Sequence, residues 1–161
     1  MSMSRLSSVP AIWLALTVSA LTGPVMAQEF RYEYAVKIIC GFPDRPALAP
    51  GRYYTAINVH NPSREGVPFR RKFALTAPGE APGTIYPFTA HKLGPDQALE
   101  FDCDGLFRRV RIRFAKGFAV IQSPVELDVV AVYTASGVAD SVRTMHVERV
   151  PFRPMGEVRP Q

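Results

Sequence analysis

The chain has 161 residues, of which 47% are hydrophobic and 20% charged, and its net charge is +5 at pH 7. This length excludes a protein of several large domains and is enough for one domain with a single hydrophobic core. The charge balance is only mildly basic, so it is compatible with an acidic partner but does not by itself indicate one.

The first 27 residues have the pattern of a secretory signal peptide. Arg5 supplies the positive start, residues 11–21 are an apolar stretch too short to span a bilayer, and small residues at 25–27 precede a cleavage point at Gln28. No cysteine lies at the cleavage point itself, and no later apolar run reaches about 18 residues. We therefore expect a periplasmic or secreted, soluble protein of 134 residues with net charge +4, without a lipid anchor or a transmembrane segment.

The first three predicted strands alternate inward apolar and outward polar side chains, which is the period of a half-buried strand. The first covers residues 31–40 and ends on an inward-pointing Cys40. Residues 52–60 and 67–76 repeat the pattern, after a Pro-rich connection and a turn at 61–63. These segments predict antiparallel β structure near the start of the mature chain.

The next stretch, residues 77–96, contains four prolines and has no strict alternation. At this length it is either an insertion with its own short strand or a binding loop. Residues 98–103 then alternate again and end on Cys103, which also points inward. Two inward cysteines on separate strands of an exported chain predict one structural disulfide, Cys40–Cys103.

The segment that follows Cys103 allows two assignments. Asp104-Gly105 has the composition of a two-residue hairpin turn, which would make residues 106–114 a strand. Asp104 is equally suited to cap one helical turn through Arg108. The residues alone leave both alternatives open.

The last predicted strands are 118–122, 127–133 and 141–150. The second of these is apolar on both faces apart from Asp128, which is typical of a central strand. We predict an all-β fold, a two-sheet immunoglobulin-like antiparallel sandwich of seven or eight short strands with one disulfide; a small barrel is the alternative. The domain division is a signal peptide at 1–27, a sandwich at 28–150 and a weakly ordered tail at 151–161.

Two segments carry a resemblance to known families. The run 116–134, together with 53–63, resembles a group of uncharacterised exported bacterial proteins. Within it, residues 120–130 are similar to the sensory rhodopsin transducer family, whose members are small β-sandwiches. The resemblance implies the sandwich fold and no catalytic residue.

The sequence contains no recognisable catalytic or metal-binding motif. There is no Gly-x-Ser-x-Gly elbow and no glycine-rich phosphate loop. The three histidines, His60, His91 and His146, lie on separate segments without metal-ligand spacing. We therefore predict no enzymatic activity, no catalytic residue, no cofactor and no metal.

Asp128 is an acidic residue inside an otherwise apolar strand. A buried carboxylate needs a cationic or hydrogen-bonding partner, because burying it alone costs several kcal/mol. Arg71 interrupts the apolar face of residues 67–75 and is the partner that the sequence suggests. We expect a structural ion pair between the two.

A cationic stretch near residue 110 is the candidate binding site. If residues 106–114 form a strand, Arg109, Arg111 and Arg113 lie in a row on its outer face, where they could bind a repeating anion such as phosphate or sulfate. Arg70 and Lys72 on another outer face would enlarge the patch. The alternative is a solvated face that discourages edge pairing.

Two functions follow from these observations. The first is a non-enzymatic binding or assembly module that acts through a protein partner, with oligomerisation possible. The second is a binder of an anionic polymer or lipid head group through the arginine-rich strand.

Overall fold

The computed structural model describes residues 29–43, 48–77, 81–137 and 142–156. The predicted signal peptide and its cleavage point lie outside the described residues, as do residues 157–161 of the predicted tail. The described part of the chain is almost entirely antiparallel β structure, which confirms the all-β prediction.

The described residues form ten strands and one short helix. In chain order these are β1 (Tyr32–Gly41), β2 (Arg52–His60), β3 (Val67–Thr76), β4 (Pro82–Ile85), β5 (Thr89–Leu93), β6 (Ala98–Asp102), α1 (Cys103–Phe107), β7 (Phe114–Ser123), β8 (Asp128–Ser136), β9 (Val142–Arg149) and β10 (Phe152–Pro154). There are more strands than the seven or eight predicted because β4, β5 and β10 are short and lie in segments without clear alternation.

The ten strands form one continuous antiparallel sheet, which divides into two parts, sheet I and sheet II, at the single pairing between β1 and β2. Sheet I has the order β3, β7, β1, with β4 and β5 on the outer edge of β3 and β10 beside the start of β1. Sheet II has the order β6, β2, β8, β9. The sheets are joined where Gly41 in β1 pairs with Tyr53 in β2. Among the described residues the strand path ends at β4 and at β9, so the fold is an open sandwich rather than a barrel.

One hydrophobic core fills the space between the sheets. The alternating residues of β1, which include Tyr34, Val36 and Ile38, are buried as the sequence predicts. Across the core, the rings of Phe73 in β3 and Phe101 in β6 meet with centroids 6.5 Å apart. Burial of each large apolar side chain contributes about 1.5–3 kcal/mol. The packing of one sheet on the other confirms the sandwich, and the immunoglobulin-like strand order stays a prediction.

The predicted disulfide is confirmed. Cys40 at the end of β1 is bonded to Cys103 at the start of α1, with the two Cα atoms 5.4 Å apart. Both cysteines are buried, and the structure has no free cysteine among the residues it describes. The bond therefore ties β1 of sheet I to the helical turn that follows β6 of sheet II.

The segment after Cys103 is a helical turn and not a hairpin. Its cap is Asp102 rather than Asp104, because the Asp102 carboxylate accepts a hydrogen bond from the Gly105 amide at 2.8 Å. The Tyr54 hydroxyl donates to the same carboxylate at 2.7 Å. Burial raises the pKa of Asp102, but these two hydrogen bonds, together with the charge of Arg108 and the Asp104 amide, hold the pKa below its usual value. Residues 108–113 have no strand structure.

Two other segments also differ in detail from their prediction. Residues 77–96 contain two short strands, β4 and β5, which both pair with β3 and favour the insertion over a free loop. Part of the predicted tail forms β10, which pairs with the start of β1. Phe152 explains this pairing, since its ring lies 4.9 Å from the ring of Tyr32 and 6.3 Å from that of Tyr34.

Candidate functional site

The three arginines predicted to bind an anion do not form a row. Arg109 lies in the turn after α1, and Arg111 and Arg113 lie in the irregular segment before β7. All three are exposed, but the strand that would space them evenly is absent and Ile112 is exposed instead of inward. The predicted geometry is therefore wrong, whereas anion binding by these residues stays a prediction.

Arg113 borders a cleft at the corner where β1 meets β2. Its carbonyl accepts a hydrogen bond from the Phe42 amide at 3.1 Å. The cleft has a volume of about 460 Å³ and is lined by Gly41, Phe42, Arg52, Phe107, Ile112 and Arg113. It thus combines two guanidinium groups with apolar side chains.

A different arginine, Arg71, lies in the core. On β3 it alternates with Phe69 and Phe73, so all three side chains point inward, and Arg71 is only 8% exposed. Its guanidinium carbon lies 5.3 Å from the centroid of the Phe73 ring and 4.6 Å from that of Phe101. Such cation–π contacts compensate for only part of the lost hydration of a buried cation.

Arg71 has no acidic partner among the described residues. The ion pairs found there involve His60, Arg149 and Arg153, so the predicted pair of Arg71 with Asp128 is wrong. The Nε atom of Arg71 is fully enclosed and makes no hydrogen bond. This is unusual, because buried charged groups are nearly always paired and hydrogen-bonded.

Three more polar side chains lie near Arg71, namely those of Thr89, His91 and Arg109. Thr89 on β5 is directly opposite Arg71 in the strand register, and Arg109 donates from Nη1 to the Thr89 hydroxyl at 3.1 Å. His91, two residues further along β5, stacks on the Phe69 ring with centroids 5.1 Å apart. Its Nε2 atom is buried and has no hydrogen-bond partner among the described residues. We call Arg71, Thr89, His91 and Arg109 the Arg71 cluster.

The electrostatics of this cluster are those of a site without a counter-ion. Burial lowers the pKa of Arg71, and the charge of Arg109 lowers it further. Burial also lowers the pKa of His91, with added contributions from Arg71 and Arg109. His91 is therefore neutral at pH 7, and the cluster carries the two positive charges of its arginines.

This cluster was not predicted from the sequence, for an identifiable reason. The register of β3 against β5, which places Thr89 opposite Arg71, depends on the fold of residues 77–96, where the sequence allowed either a strand or a loop. The sequence feature that could have indicated the cluster was Arg71 itself, an arginine in the inward register between Phe69 and Phe73. Of the predicted anion-binding residues, only Arg109 belongs to the cluster.

Arg70 and Lys72, expected to enlarge a basic patch, point to the opposite face of β3. Arg70 lies over the rings of Phe30 and Phe88, at 4.3 and 4.4 Å, and Lys72 lies 4.7 Å from the Phe88 ring. Arg70 also donates from Nε to the Gln122 side chain at 2.8 Å. These cations are thus held against aromatic rings and are separate from the Arg71 cluster.

Asp128 has different partners from the one expected. It begins β8, which lies between β2 and β9 and is the central strand predicted, but its side chain remains 37% exposed. Arg149 donates to it at 2.7 Å, and His60 lies opposite with Nδ1 at 3.2 Å. His60 also contacts Asp96 through Nε2 at 3.0 Å. Hydrogen bonds to Asp96 and then Asp128 raise the pKa of His60.

The edge strand β9 carries exposed apolar side chains. Met145 is 66% exposed and Val147 is 55% exposed. They lie opposite Thr134 and Val132 of β8, so the four side chains share the outer face of sheet II. No other described strand pairs with the second edge of β9. We call Met145, Val147 and this free edge the β9 surface.

Neither a metal-ligand cluster nor a membrane-spanning helix occurs among the described residues. No cluster of three or more histidine, cysteine or acidic residues capable of holding a metal occurs in the part of the chain that the structure describes. Over the same residues, no helix has the length and apolar character needed to cross a membrane.

Comparison with known proteins concerns the fold alone. No family model and no curated protein matches the chain. A solved structure, "Crystal Structure of Thermotoga maritima 1070", superposes with a TM-score of 0.52 over 75% of this chain and 92% of that chain, at 12% sequence identity. The chain is therefore similar in fold to this protein of Thermotoga maritima, and its resemblance to the families named above stays a prediction.

Proposed function

We propose that the chain is an exported, non-enzymatic binding or assembly module that acts through a protein partner. The observation that carries this proposal is the β9 surface, in which an unpaired strand edge lies next to exposed Met145 and Val147. Free strand edges pair readily with a further strand, and apolar side chains at such an edge add affinity. We infer that the partner adds a strand along β9.

Two further features support the proposal. The Cys40–Cys103 disulfide is typical of an oxidising compartment, as expected for a periplasmic or secreted protein. The β9 strand itself is held in sheet II by its pairing with β8. The non-enzymatic part of the proposal rests on the sequence, which lacks the motifs of the common hydrolases and nucleotide-binding enzymes.

Photo-crosslinking tests the β9 surface. A photoreactive amino acid placed at Met145 or Val147 should capture one shared protein in the native envelope. The matched control position is Phe118, an exposed apolar residue on the outer face of sheet I. Capture of the same protein from Phe118 as efficiently as from β9, or no capture from β9, would contradict the proposal.

An edge-blocking variant gives a second test. Val147→Lys places a charge on the edge, which is how natural sheets prevent strand addition, whereas Val147→Thr keeps β propensity and adds no charge. We expect Val147→Lys to abolish capture from Met145, and Val147→Thr to retain it. Equal capture by both variants would exclude strand addition at β9.

The second candidate function is the binding of an anionic group. The row of arginines that suggested it does not form, but one observation still favours it, namely that Arg109 lies beside the unpaired Arg71. Retention of the protein on an anionic resin that is lost with added salt would support this function. It does not depend on the β9 surface.

A further inference from the structure

Arg71 is energetically unfavourable for folding in the position where it lies. It is buried between aromatic rings, its Nε atom has no hydrogen-bond partner, and no described carboxylate neutralises it. An apolar side chain of similar length would fill the same space without desolvating a charge. A structural role alone therefore does not explain an arginine here, whereas an anion that enters from outside would.

The surrounding side chains supply a set of donors from three elements of the fold. Arg71 comes from β3, Thr89 and His91 come from β5, and Arg109 follows α1. Arg109 is exposed and is held over the cluster by its bond to the Thr89 hydroxyl. An anion that arrives from this side would replace Thr89 as the acceptor for Arg109. The freed hydroxyl could then donate to the anion, as could His91 in its Nε2–H tautomer.

The charge of the cluster selects among small anions. Two guanidinium groups provide two positive charges, and no acidic residue of the described chain is paired with either. A carboxylate would leave one of these charges uncompensated. A phosphate monoester carries close to two negative charges at neutral pH and has three acceptor oxygens, which suits planar guanidinium donors from different directions.

We propose that Arg71, Thr89, His91 and Arg109 form a binding site for a phosphate group, either as free phosphate or as the phosphomonoester of a lipid head group. The site is on sheet I and is independent of the β9 surface on sheet II. Failure of one proposal therefore leaves the other intact.

Thermal unfolding and calorimetry with inorganic phosphate test the site. Replacing chloride by about 10 mM phosphate at constant ionic strength should raise the Tm of the exported protein by about 2 °C or more. Arg109→Gln should weaken phosphate binding at least about tenfold, because it removes a charged donor and leaves the core unchanged. Arg71→Met should abolish binding. The matched control is Arg64→Gln, which removes an equal charge from an exposed position outside the cluster and should bind phosphate like the unmodified protein.

Vesicles separate the two sources of the phosphate group. Phosphatidic acid presents a phosphomonoester, whereas phosphatidylglycerol presents an anionic phosphodiester. Retention on phosphatidylcholine vesicles that contain phosphatidic acid, but not on those with equal charge from phosphatidylglycerol, would identify a lipid ligand. Binding of inorganic phosphate without vesicle retention would identify a soluble one.

Three results would overturn the proposal. One is that the unmodified protein binds neither inorganic phosphate nor phosphatidic acid vesicles. Another is that Arg109→Gln binds as well as the unmodified protein. The third is that Arg64→Gln loses binding to the same extent as Arg109→Gln, since binding would then reflect general surface charge.

Discussion

Removal of the Cys40–Cys103 disulfide should cost this domain a large part of its stability. The bond closes a loop between residues separated by 63 positions, and it joins β1 of sheet I to α1, which follows β6 of sheet II. For a loop of this length the chain-entropy relation gives about 4 kcal/mol at 25 °C, because the linked unfolded chain has fewer conformations. Since a domain of this size is stable by about 5–15 kcal/mol, the double variant Cys40→Ala/Cys103→Ala should remain folded but with much reduced stability.

Urea unfolding measured by far-UV circular dichroism gives the free energy. The single tryptophan, Trp13, lies in the predicted signal peptide, so tryptophan fluorescence does not report on the mature domain. We expect a free energy of unfolding lower by about 4 kcal/mol than that of the unmodified protein. The unmodified protein in reductant is the control, because it loses the link but keeps both sulfur atoms. A difference below about 1 kcal/mol would refute the loop-entropy reasoning.

Four further substitutions probe the fold and its charges. Arg71→Met should raise the free energy of unfolding by about 1–2 kcal/mol in phosphate-free urea titrations, because it removes a buried unpaired charge; a loss of stability would contradict this. Gly41→Ala should cost about 2 kcal/mol or more by the same assay, since Gly41 has φ +88° and its added Cβ would lie 2.0 Å from the Arg113 carbonyl oxygen. Gly156→Ala, at φ +96° with open space around it, should lower the free energy of unfolding by less than Gly41→Ala does. Equal losses would show that the contact with the Arg113 carbonyl oxygen does not contribute to the cost at Gly41. His60→Asn should lower the Tm more at pH 5.5 than at pH 8.5. The pKa of His60 is raised in the folded protein, so the stability that its protonation contributes is complete below about pH 6.5 and is lost as the pH rises through the folded pKa. Equal losses of Tm at the two pH values would show that the carboxylates do not stabilise the imidazolium.

The strands were predictable because alternation is a local property. In residues 31–40, burial follows the sequence pattern from Tyr34 to Cys40, and the same pattern placed Cys103 on an inward face. Two inward cysteines in a chain expected to be exported then left one pairing. These features needed no information about distant residues, except that the two sheets pack on each other.

The helical turn after Cys103 was harder to predict from the sequence than the strands. The sequence allowed either a hairpin turn at Asp104-Gly105 or a helical turn capped by Asp104, whereas the observed cap is Asp102. Tyr54, far away in the chain, contributes to the choice because its hydroxyl donates to Asp102. Once the turn is helical, residues 109–113 no longer lie on one strand face.

Charge pairing was the least predictable feature. Asp128 and Arg71 both stand in apolar registers, which suggested a pair, but they lie on strands of different sheets. Arg149 reaches Asp128 from the neighbouring β9, so the pair is made within sheet II. The Arg71 cluster was hidden for a related reason, since it depends on the register of β5 against β3.

The pairing of β1 with β10 determines when this fold can be completed. A ribosome makes β1 first, yet apart from the single Gly41–Tyr53 pair with β2 its partners lie in β7 and β10, which are made later. Until they arrive, Tyr34, Val36 and Ile38 have no sheet to join, and the growing chain stays open. If the chain is exported, as its predicted signal peptide implies, the sheet would be completed only after the final residues have crossed the membrane. The same delay leaves the apolar face of β1 available for aggregation throughout that interval.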